Sequence, residues 1–369
     1  MKKCILKILK PLFLFIGMIS VLLLFSCDGV IFNTIREEVS LSDAEVSGII
    51  QNIVRYTYAG KECAFITNGE ILYRSIVDTE ADYKSDWNSF STPSGYVYSL
   101  AADNSNLYAM AVTIEEDDDG YNVPEYRNLW CYNGSSWSLI WSEVYTSTYA
   151  FIICTNSVKP NNRKAYFRYG AGIVELTGSA ISSSDVKYVV STDGSILSNT
   201  MKASTEDGFS SSNILSVSSC ASLGSDIYFS TGRAMASNKD DSVIYYSSGG
   251  TVYYTDGSSL SGSASVTSDT IMSMGVTSDY LLLGTDEGIQ HTTWATTNVP
   301  SSGTADFSTN ADSTLSSYYE VPAILVVDPS LAETGGTIYA SGMSSSSSAS
   351  FKNIGLWGYY ANEGEWNRE

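Results

Sequence analysis

Short apolar and aromatic runs, separated by Gly, Asn, Asp and Ser, recur along the chain from residue 48 onward. Such a pattern predicts β-strands joined by tight turns. The clearest example is the stretch 280–294, YLLLGTDEGIQHTTW. One apolar run ends in Gly-Thr-Asp-Glu-Gly and a second begins at Ile289, which predicts a β-hairpin with Gly284 and Gly288 in its turn.

Groups of such runs repeat with a loose period, which predicts repeated sheets. Six units can be laid out, and their first residues are 47 to 65 positions apart: Ile50, Val97, Tyr149, Ile214, Ile271 and Ala323. In the fourth unit the strands would be ILSVSSCAS, DIYFSTG, SVIYYSS and TVYYTDG. Repeats of about 40–50 residues that are rich in turns are typical of propeller blades. We therefore predict an all-β fold: a β-propeller of six four-stranded antiparallel blades, with seven blades as the alternative.

The start of the first unit has two interpretations. Val46, Ile49, Ile50 and Ile53 fall on one helical face, and the same residues also begin the strand-like run IIQNIVRYTY. We favour the strand, because a strand repeat follows.

Two turns carry a resemblance to known repeats. Residues 284–289, GTDEGI, resemble the G-T-x-x-G-[LI] turn of bacterial propellers of the two-component-sensor type and of related periplasmic repeat proteins. Residues 132–137, YNGSSW, resemble the Y-x-G-x-x-W turn between outer blade strands. The WD and Gly-His signature of WD repeats and the complete Asp-box of sialidases are absent from the sequence. The resemblance implies a propeller-like repeat domain and no particular enzyme.

Residues 1–26 have the order of a secretory signal peptide: a basic start, an apolar run and a small residue before the cleavage site. The ending LFSC resembles the lipobox of bacterial lipoproteins. The resemblance implies that Cys27 carries the lipid and becomes the mature N-terminus. Residues 27–47 would then form a lipidated tether and residues 48–369 a single propeller domain. An uncleaved transmembrane anchor is the alternative, because the apolar run nearly spans a bilayer.

Both alternatives place the domain outside the cytoplasm and attach it to a membrane. We expect a bacterial cell-envelope protein that is held to the membrane through its N-terminal lipid, palmitate included. The sequence leaves the choice between inner and outer membrane open.

The net charge of the chain limits the classes of partner that it can bind. The chain has 20 basic and 40 acidic residues, a net charge of −20, and four of the lysines lie in the signal segment: Lys2, Lys3, Lys7 and Lys10. Without them, 16 basic residues stand against 40 acidic ones, and the net charge is −24. A surface so negative repels phosphate backbones, so a nucleic-acid partner is excluded.

Four cysteines lie outside the N-terminal segment, each inside an apolar run: Cys63, Cys131, Cys154 and Cys220. An even number in an exported protein is compatible with disulfides in three connectivities. Their apolar surroundings favour buried free thiols. No Cys or His spacing indicates zinc.

The acidic stretch 115–120, EEDDDG, is the best metal candidate. Counted from Glu115 as position 1, Asp117, Asp119 and the glycine fall where a calcium loop has ligands and its turn, while Glu125 is one residue early for position 12. No cofactor is expected otherwise, and a solvated acidic loop is the alternative.

Catalytic chemistry has little support. His291 is the only histidine, and no serine in a nucleophile-elbow context stands near it. We expect Asp286, Glu287 and His291 to contribute at most to a binding rim. A glycosidase needs a pair of catalytic carboxylates, and with 40 acidic residues the sequence offers too many possible pairs to identify one.

These observations favour a non-enzymatic binding or scaffold module for a protein, peptide or glycan partner. An enzyme that acts on extracellular polysaccharide and an envelope assembly factor remain the alternatives.

Overall fold

The computed structural model describes residues 46–76, 86–116, 119–146, 150–192, 194–205, 210–258, 260–307, 319–327, 337–344, 354–360 and 365–369. These residues form antiparallel strands in small sheets, and their helices are three short 3-10 helices: Pro160–Asn162, Ser183–Asp185 and Ser211–Asn213. The all-β prediction is confirmed. Within the described part of the chain, no helix has the length and apolar character needed to span a bilayer.

The first two sheets each have four strands in sequence order. The first sheet comprises β1 (Ile53–Tyr58), β2 (Lys61–Thr67), β3 (Ile71–Ser75) and β4 (Asn88–Ser89). The second comprises β5 (Tyr96–Ala102), β6 (Leu107–Glu116), β7 (Asn122–Tyr132) and β8 (Trp137–Val144). Between β1 and β2, Ala59 and Gly60 both have positive φ, as in the type I′ turns that suit two-residue hairpins.

The middle of the chain forms smaller sheets. The third sheet comprises β9 (Ala150–Cys154), β10 (Ala165–Tyr169) and β11 (Gly172–Glu175). A two-stranded pair joins β12 (Tyr188–Val189) to β14 (Met201–Lys202). The fourth sheet has the order β13-β16-β15 and comprises β13 (Leu197–Ser198), β15 (Ser219–Leu223) and β16 (Asp226–Ser230).

Three sheets and a strand pair follow. The fifth sheet comprises β17 (Met235–Ser237), β18 (Ile244–Ser248), β19 (Thr251–Thr255) and β20 (Leu260–Ser265). The sixth sheet comprises β21 (Ile271–Val276), β22 (Leu281–Thr285), β23 (Gly288–Thr292) and β26 (Ala305–Asp306). A separate pair joins β24 (Trp294–Thr296) to β25 (Val299–Pro300). The last sheet comprises β27 (Tyr319–Glu320), β28 (Ile324–Val326), β29 (Thr337–Ser344), β30 (Gly355–Tyr360) and β31 (Glu365–Arg368).

The predicted fourth unit is wrong as a single sheet. Its first two runs belong to β15 and β16, whereas its last two are β18 and β19 of a separate sheet that begins with β17. The other five predicted units correspond to the first, second, third, sixth and last sheets.

The predicted position of Gly284 is also wrong. It lies within β22, where a Cβ would come 2.4 Å from the backbone oxygen of Val321. Gly288, with φ +96°, does serve the turn, because few other residues adopt that conformation.

Neighbouring sheets are held together by apolar side chains. Val54 and Phe65 of the first sheet pack in one cluster with Val97 and Leu100 of the second. Further clusters join the second sheet to the third, the third to the fourth, the fourth to the fifth, the fifth to the sixth, and the last to the first. Neither face of a small sheet can stay apolar in water, so each sheet is covered by its neighbours.

Seven strands contact one another in succession along the chain. In order they are β1, β5, β9, β15, β17, β21 and β28, and β28 contacts β1 again. The chain from Ala44 to Glu369 forms one compact unit. Within it, Val46 is buried, and its amide donates to the carbonyl oxygen of Glu369 at 2.8 Å.

Candidate functional site

A cavity of about 120 Å³ lies among the successive strands. Five of the seven strands line it: β9, β15, β17, β21 and β28. Its lining combines apolar side chains, among them Met235, Met274, Val276 and Ile324, with polar groups, which provide the larger share of its surface. The cavity is therefore more polar than the usual small-ligand site, whose walls are mostly apolar.

The polar side of the cavity comes from two loops. Asn156 and Ser157 follow β9, and Asn238, Lys239 and Asp241 lie between β17 and β18. In the second loop, the Asn238 side-chain oxygen accepts hydrogen bonds from the amides of Ser242 and Val243, at 2.8 and 3.2 Å. An asparagine that bonds its own following backbone fixes the course of a turn.

Asp241 is the most constrained residue of the site. It is 2% exposed and has φ +50°, a conformation that Asp and Asn tolerate better than other non-glycine residues. Its Oδ2 accepts from Ser157 Oγ at 2.8 Å and from Asn162 Nδ2 at 2.6 Å. Its Oδ1 has no hydrogen-bond partner among the described residues. Two neutral donors therefore hold one oxygen of a buried carboxylate, and the other oxygen is unsatisfied.

A partly buried ion pair supports the Ser157 loop. Arg163 Nε donates to the Ser157 carbonyl at 2.8 Å, and its Nη atoms donate to both carboxylate oxygens of Glu62, at 3.0 and 2.6 Å. Burial opposes ionisation of Glu62, but hydrogen bonds from Arg163 and Thr57 outweigh it and hold the pKa of Glu62 below its usual value. Bidentate pairs of this kind fix geometry as well as charge.

The site lacks an activated nucleophile in the part of the chain that the structure describes. Cys154 and Cys220 line the cavity, but burial raises the pKa of Cys154 to about 11 and that of Cys220 well above its usual value. Thiols with raised pKa values are poor nucleophiles at neutral pH. All four cysteines in the described residues are free, and three of them are buried, as the sequence favoured.

The residues predicted for a binding rim lie elsewhere, in the sixth sheet. Asp286 closes the turn after β22, where its Oδ1 accepts from the Thr270 amide at 2.8 Å, and Glu287 is exposed beside it. His291 lies in β23 between the rings of Tyr280 and Phe307, whose centroids are 4.8 and 5.2 Å from that of the imidazole. Burial lowers the pKa of His291, so the ring is neutral at pH 7.

Two of the predicted calcium ligands lie on neighbouring strands, Glu115 in β6 and Glu125 in β7. Some loss of solvent, together with a hydrogen bond and repulsion from Glu115, raises the pKa of Glu125, so these two carboxylates are neighbours. Asp119 lies beyond the end of β6, and Asp117 lies outside the described residues. The described chain contains no cluster of three or more His, Cys, Asp or Glu side chains placed to hold a metal. Calcium binding stays a prediction, as does lipidation of Cys27, which also lies outside the described residues.

The same hairpin carries an exposed apolar surface. Strands β6 and β7 are 10 and 11 residues long, and their inner parts are buried while residues 114–116 and 122–124 are exposed on both faces. We call residues 112–116 and 119–126, with residues 139–145 in and directly after β8, the arm. Eight of the ten large exposed hydrophobic residues in the described chain lie on this sheet: Tyr96, Ile114, Tyr121, Val123, Tyr126, Leu139, Val144 and Tyr145.

The sequence predicted neither the cavity beside Asp241 nor the exposed apolar surface of the arm. Asp241 stands in an ordinary polar turn, NKDDS, and its contacts to Ser157 and Asn162 span about 80 residues of chain. The sequence of the arm does predict strands. It does not show that both faces of these strands are exposed, because that depends on how far the hairpin extends beyond the neighbouring sheets. The paired carboxylates Glu115 and Glu125 were the one local signal at the arm.

Comparisons with known proteins find only distant structural similarity. No protein-family model matches the sequence, and no curated protein matches it. The structure of Saccharomyces cerevisiae Sqt1 is similar with a TM-score of 0.40 and 9% identity, over 86% of this chain and 97% of that one. The extracellular domain of a hybrid two-component system from B. thetaiotaomicron is similar with a TM-score of 0.45 and 12% identity, over 84% of this chain. The match spans 38% of that second protein's chain.

Proposed function

We propose that this chain is a lipid-anchored, extracytoplasmic binding module without catalytic activity, and that its arm holds a protein partner. The observation that carries this function is the concentration of exposed apolar side chains on one sheet. Scattered surface hydrophobic residues are normal, whereas a contiguous exposed group marks an interaction surface.

The scaffold we propose is a β-propeller of seven blades. Its support is the succession of seven strands in which the last contacts the first, together with apolar clusters between consecutive sheets. A propeller needs such radial packing, because each blade covers the next. A crystal structure in which β28 lies apart from β1 would refute this arrangement.

The chemistry of the arm favours a protein with basic and apolar residues. Tyr126 lies opposite Val144, and Ile114 lies opposite Pro124, so cross-strand neighbours form apolar pairs. The acids Glu115 and Glu125 lie beside them, and the whole chain is strongly negative. Exposed tyrosines supply large contact areas at low entropic cost, and carboxylates select cationic partners.

Photo-crosslinking in intact cells tests the arm. A photoreactive phenylalanine analogue at Tyr121, which is 70% exposed, should form an adduct with one protein. The same analogue at Ile49, which is 53% exposed just before the first sheet, is the control and should form none. Tyr126→Ser should weaken binding of that protein by about tenfold or more, as for an aromatic hot spot. Equal adducts at both sites, or adducts with glycan alone, would contradict a protein-binding arm.

Mass spectrometry of the mature protein tests the anchor. The wild-type chain should lack residues 1–26 and carry added acyl mass on Cys27, because at least two acyl chains are needed for stable anchoring. Cys27→Ser should abolish the added mass, and the control Cys4→Ser, inside the signal segment, should leave it unchanged. A wild-type chain that retains residues 1–26 without acyl mass would instead indicate a transmembrane anchor.

A further inference from the structure

One edge of strand β6 is open at the arm. Strand β5 pairs with β6 only as far as Val112, which lies opposite Tyr96. Residues 113–116 continue beside β7, and none of the described strands pairs with them on the other side. Alternate residues of a strand direct their N–H and C=O groups to the same edge, so this stretch offers the groups of two residues to a further strand. An edge of this kind is a template for the addition of a strand.

The opposite edge of the same hairpin is less suited to a partner. Pro124 lies in β7, opposite Ile114. Proline has no N–H to donate, and in sheets it occurs where its nitrogen faces the free side of an edge strand. The Tyr145 amide donates to the Glu125 carbonyl at 2.7 Å, so the chain after β8 covers the adjoining part of β7. Of the two edges of the hairpin, the β6 edge is therefore the better template.

The two faces of the hairpin differ in chemistry beside this edge. Successive side chains of a strand point to opposite faces. The carboxyl groups of Glu115 and Glu125 are close enough to share a hydrogen bond, so these two residues lie on one face. Ile114 and its cross-strand neighbour Pro124 lie on the other face, with Glu116 nearer the tip. A strand beside β6 would therefore meet carboxylates on one face and an apolar pair on the other.

Charge decides which strand fits. Residues 112–126 include six acidic residues and no basic one. A second copy of this chain would place two such segments side by side, and like charges on adjacent strands destabilise their pairing. A segment with basic residues is attracted instead.

We infer that the arm binds an extended segment of its partner protein as an additional strand on the β6 edge. Basic residues of that segment lie beside Glu115, and its apolar residues, which alternate with them, lie beside Ile114. Main-chain hydrogen bonds then supply affinity, and the alternating side chains supply specificity. The inference rests on the protein-binding arm proposed above and adds the chemistry of the segment that the arm recognises.

A synthetic peptide of alternating Lys and Val, about eight residues long, tests the edge on the full chain in detergent. Hydrogen–deuterium exchange measured by mass spectrometry should slow in residues 113–116 when the peptide is bound, and should not change in residues 122–124. The control peptide carries N-methyl groups on two adjacent central residues, which face opposite edges, so it cannot donate normally from either edge. Fluorescence anisotropy should show that this control binds at least about tenfold more weakly, because main-chain hydrogen bonds are lost.

Charge selection has its own measurement. A peptide of alternating Glu and Val should not bind measurably. Glu115→Lys should weaken binding of the Lys-Val peptide by about tenfold, because repulsion replaces attraction. Glu70→Lys, the same charge change at an exposed residue between β2 and β3, should leave it unchanged.

Three results would overturn the inference. Equal binding of the Lys-Val peptide and its N-methylated form would place the contact on a face of the arm and not on its edge. Equal binding of the Lys-Val and Glu-Val peptides would remove the selection for basic residues. No binding of the Lys-Val peptide to the wild type would exclude strand addition, and this result does not depend on whether a variant folds. None of these results changes the photo-crosslinking at Tyr121, which tests whether the arm binds a protein at all.

Discussion

Replacing Glu369 by Gln is expected to lower the free energy of unfolding by about 3 kcal/mol, because it breaks a buried ion pair and leaves Arg74 charged. Arg74 Nη1 lies 2.5 Å from Glu369 Oε2, and the two side chains are 6% and 4% exposed. Trp87 Nε1 donates to the same oxygen at 3.2 Å, and the Tyr360 hydroxyl donates to Oε1. Equilibrium urea denaturation of the two proteins measures the difference.

An exposed ion pair in the same chain provides the control. Lys164 Nζ lies 2.8 Å from Glu175 Oε1, but these side chains are 43% and 41% exposed. Glu175→Gln should therefore cost less than about 1 kcal/mol, as surface pairs usually do. Similar losses in the free energy of unfolding for Glu369→Gln and Glu175→Gln would contradict the claim that burial makes the Arg74–Glu369 pair important for stability.

The Arg74–Glu369 pair lies where the first and last sheets meet. Arg74 is in β3, and Glu369 follows β31; the Leu356 amide donates to the Val46 carbonyl at 3.3 Å nearby. The two partners are 295 residues apart in sequence. No local pattern could have indicated this contact, because hydrophobic periodicity reports on faces of single elements and not on which elements meet.

Local pattern was sufficient for most of the strands. Residues 281–283 are fully buried leucines, and each contributes about 1.5–3 kcal/mol through burial, so this strand appears in the sequence as an apolar run. The same holds for the strands of the first two sheets. The strand β17, Met-Ala-Ser, was not predicted, because it has only three residues and all of them are half-buried. Without that strand, two sheets were merged into one predicted unit.

The candidate sites were less predictable than the strands for a physical reason. The cavity combines residues from five strands and two loops, so its polarity exists only after the sheets pack. The acids at 115–125 and the hairpin at 280–294 attracted attention because their polar residues are adjacent in sequence. In the structure, Asp286 holds the backbone of Thr270, and His291 packs between two aromatic rings.

Gly284→Ala is expected to destabilise the protein by about 3 kcal/mol, the upper end for overpacking a filled interior. A Cβ at this position would lie 2.4 Å from the Val321 backbone oxygen and 2.2 Å from Ser273 Oγ. The serine hydroxyl can rotate away, but the carbonyl cannot, because the Val321 amide donates to Thr285 at 2.9 Å and holds that segment against β22. Relief therefore requires β22 and residue 321 to separate.

Gly303→Ala is the control, since no atom lies within 4 Å of the added Cβ and only the backbone, with φ +81°, opposes the change. That strain should cost about 1 kcal/mol. Urea denaturation should therefore place Gly284→Ala at a clearly lower midpoint than Gly303→Ala. Equal midpoints would mean that the close approach of Val321 does not constrain residue 284. Because Gly284 lies inside β22 and its φ is not positive, the space that it leaves for the Val321 carbonyl is the reason for glycine at this position.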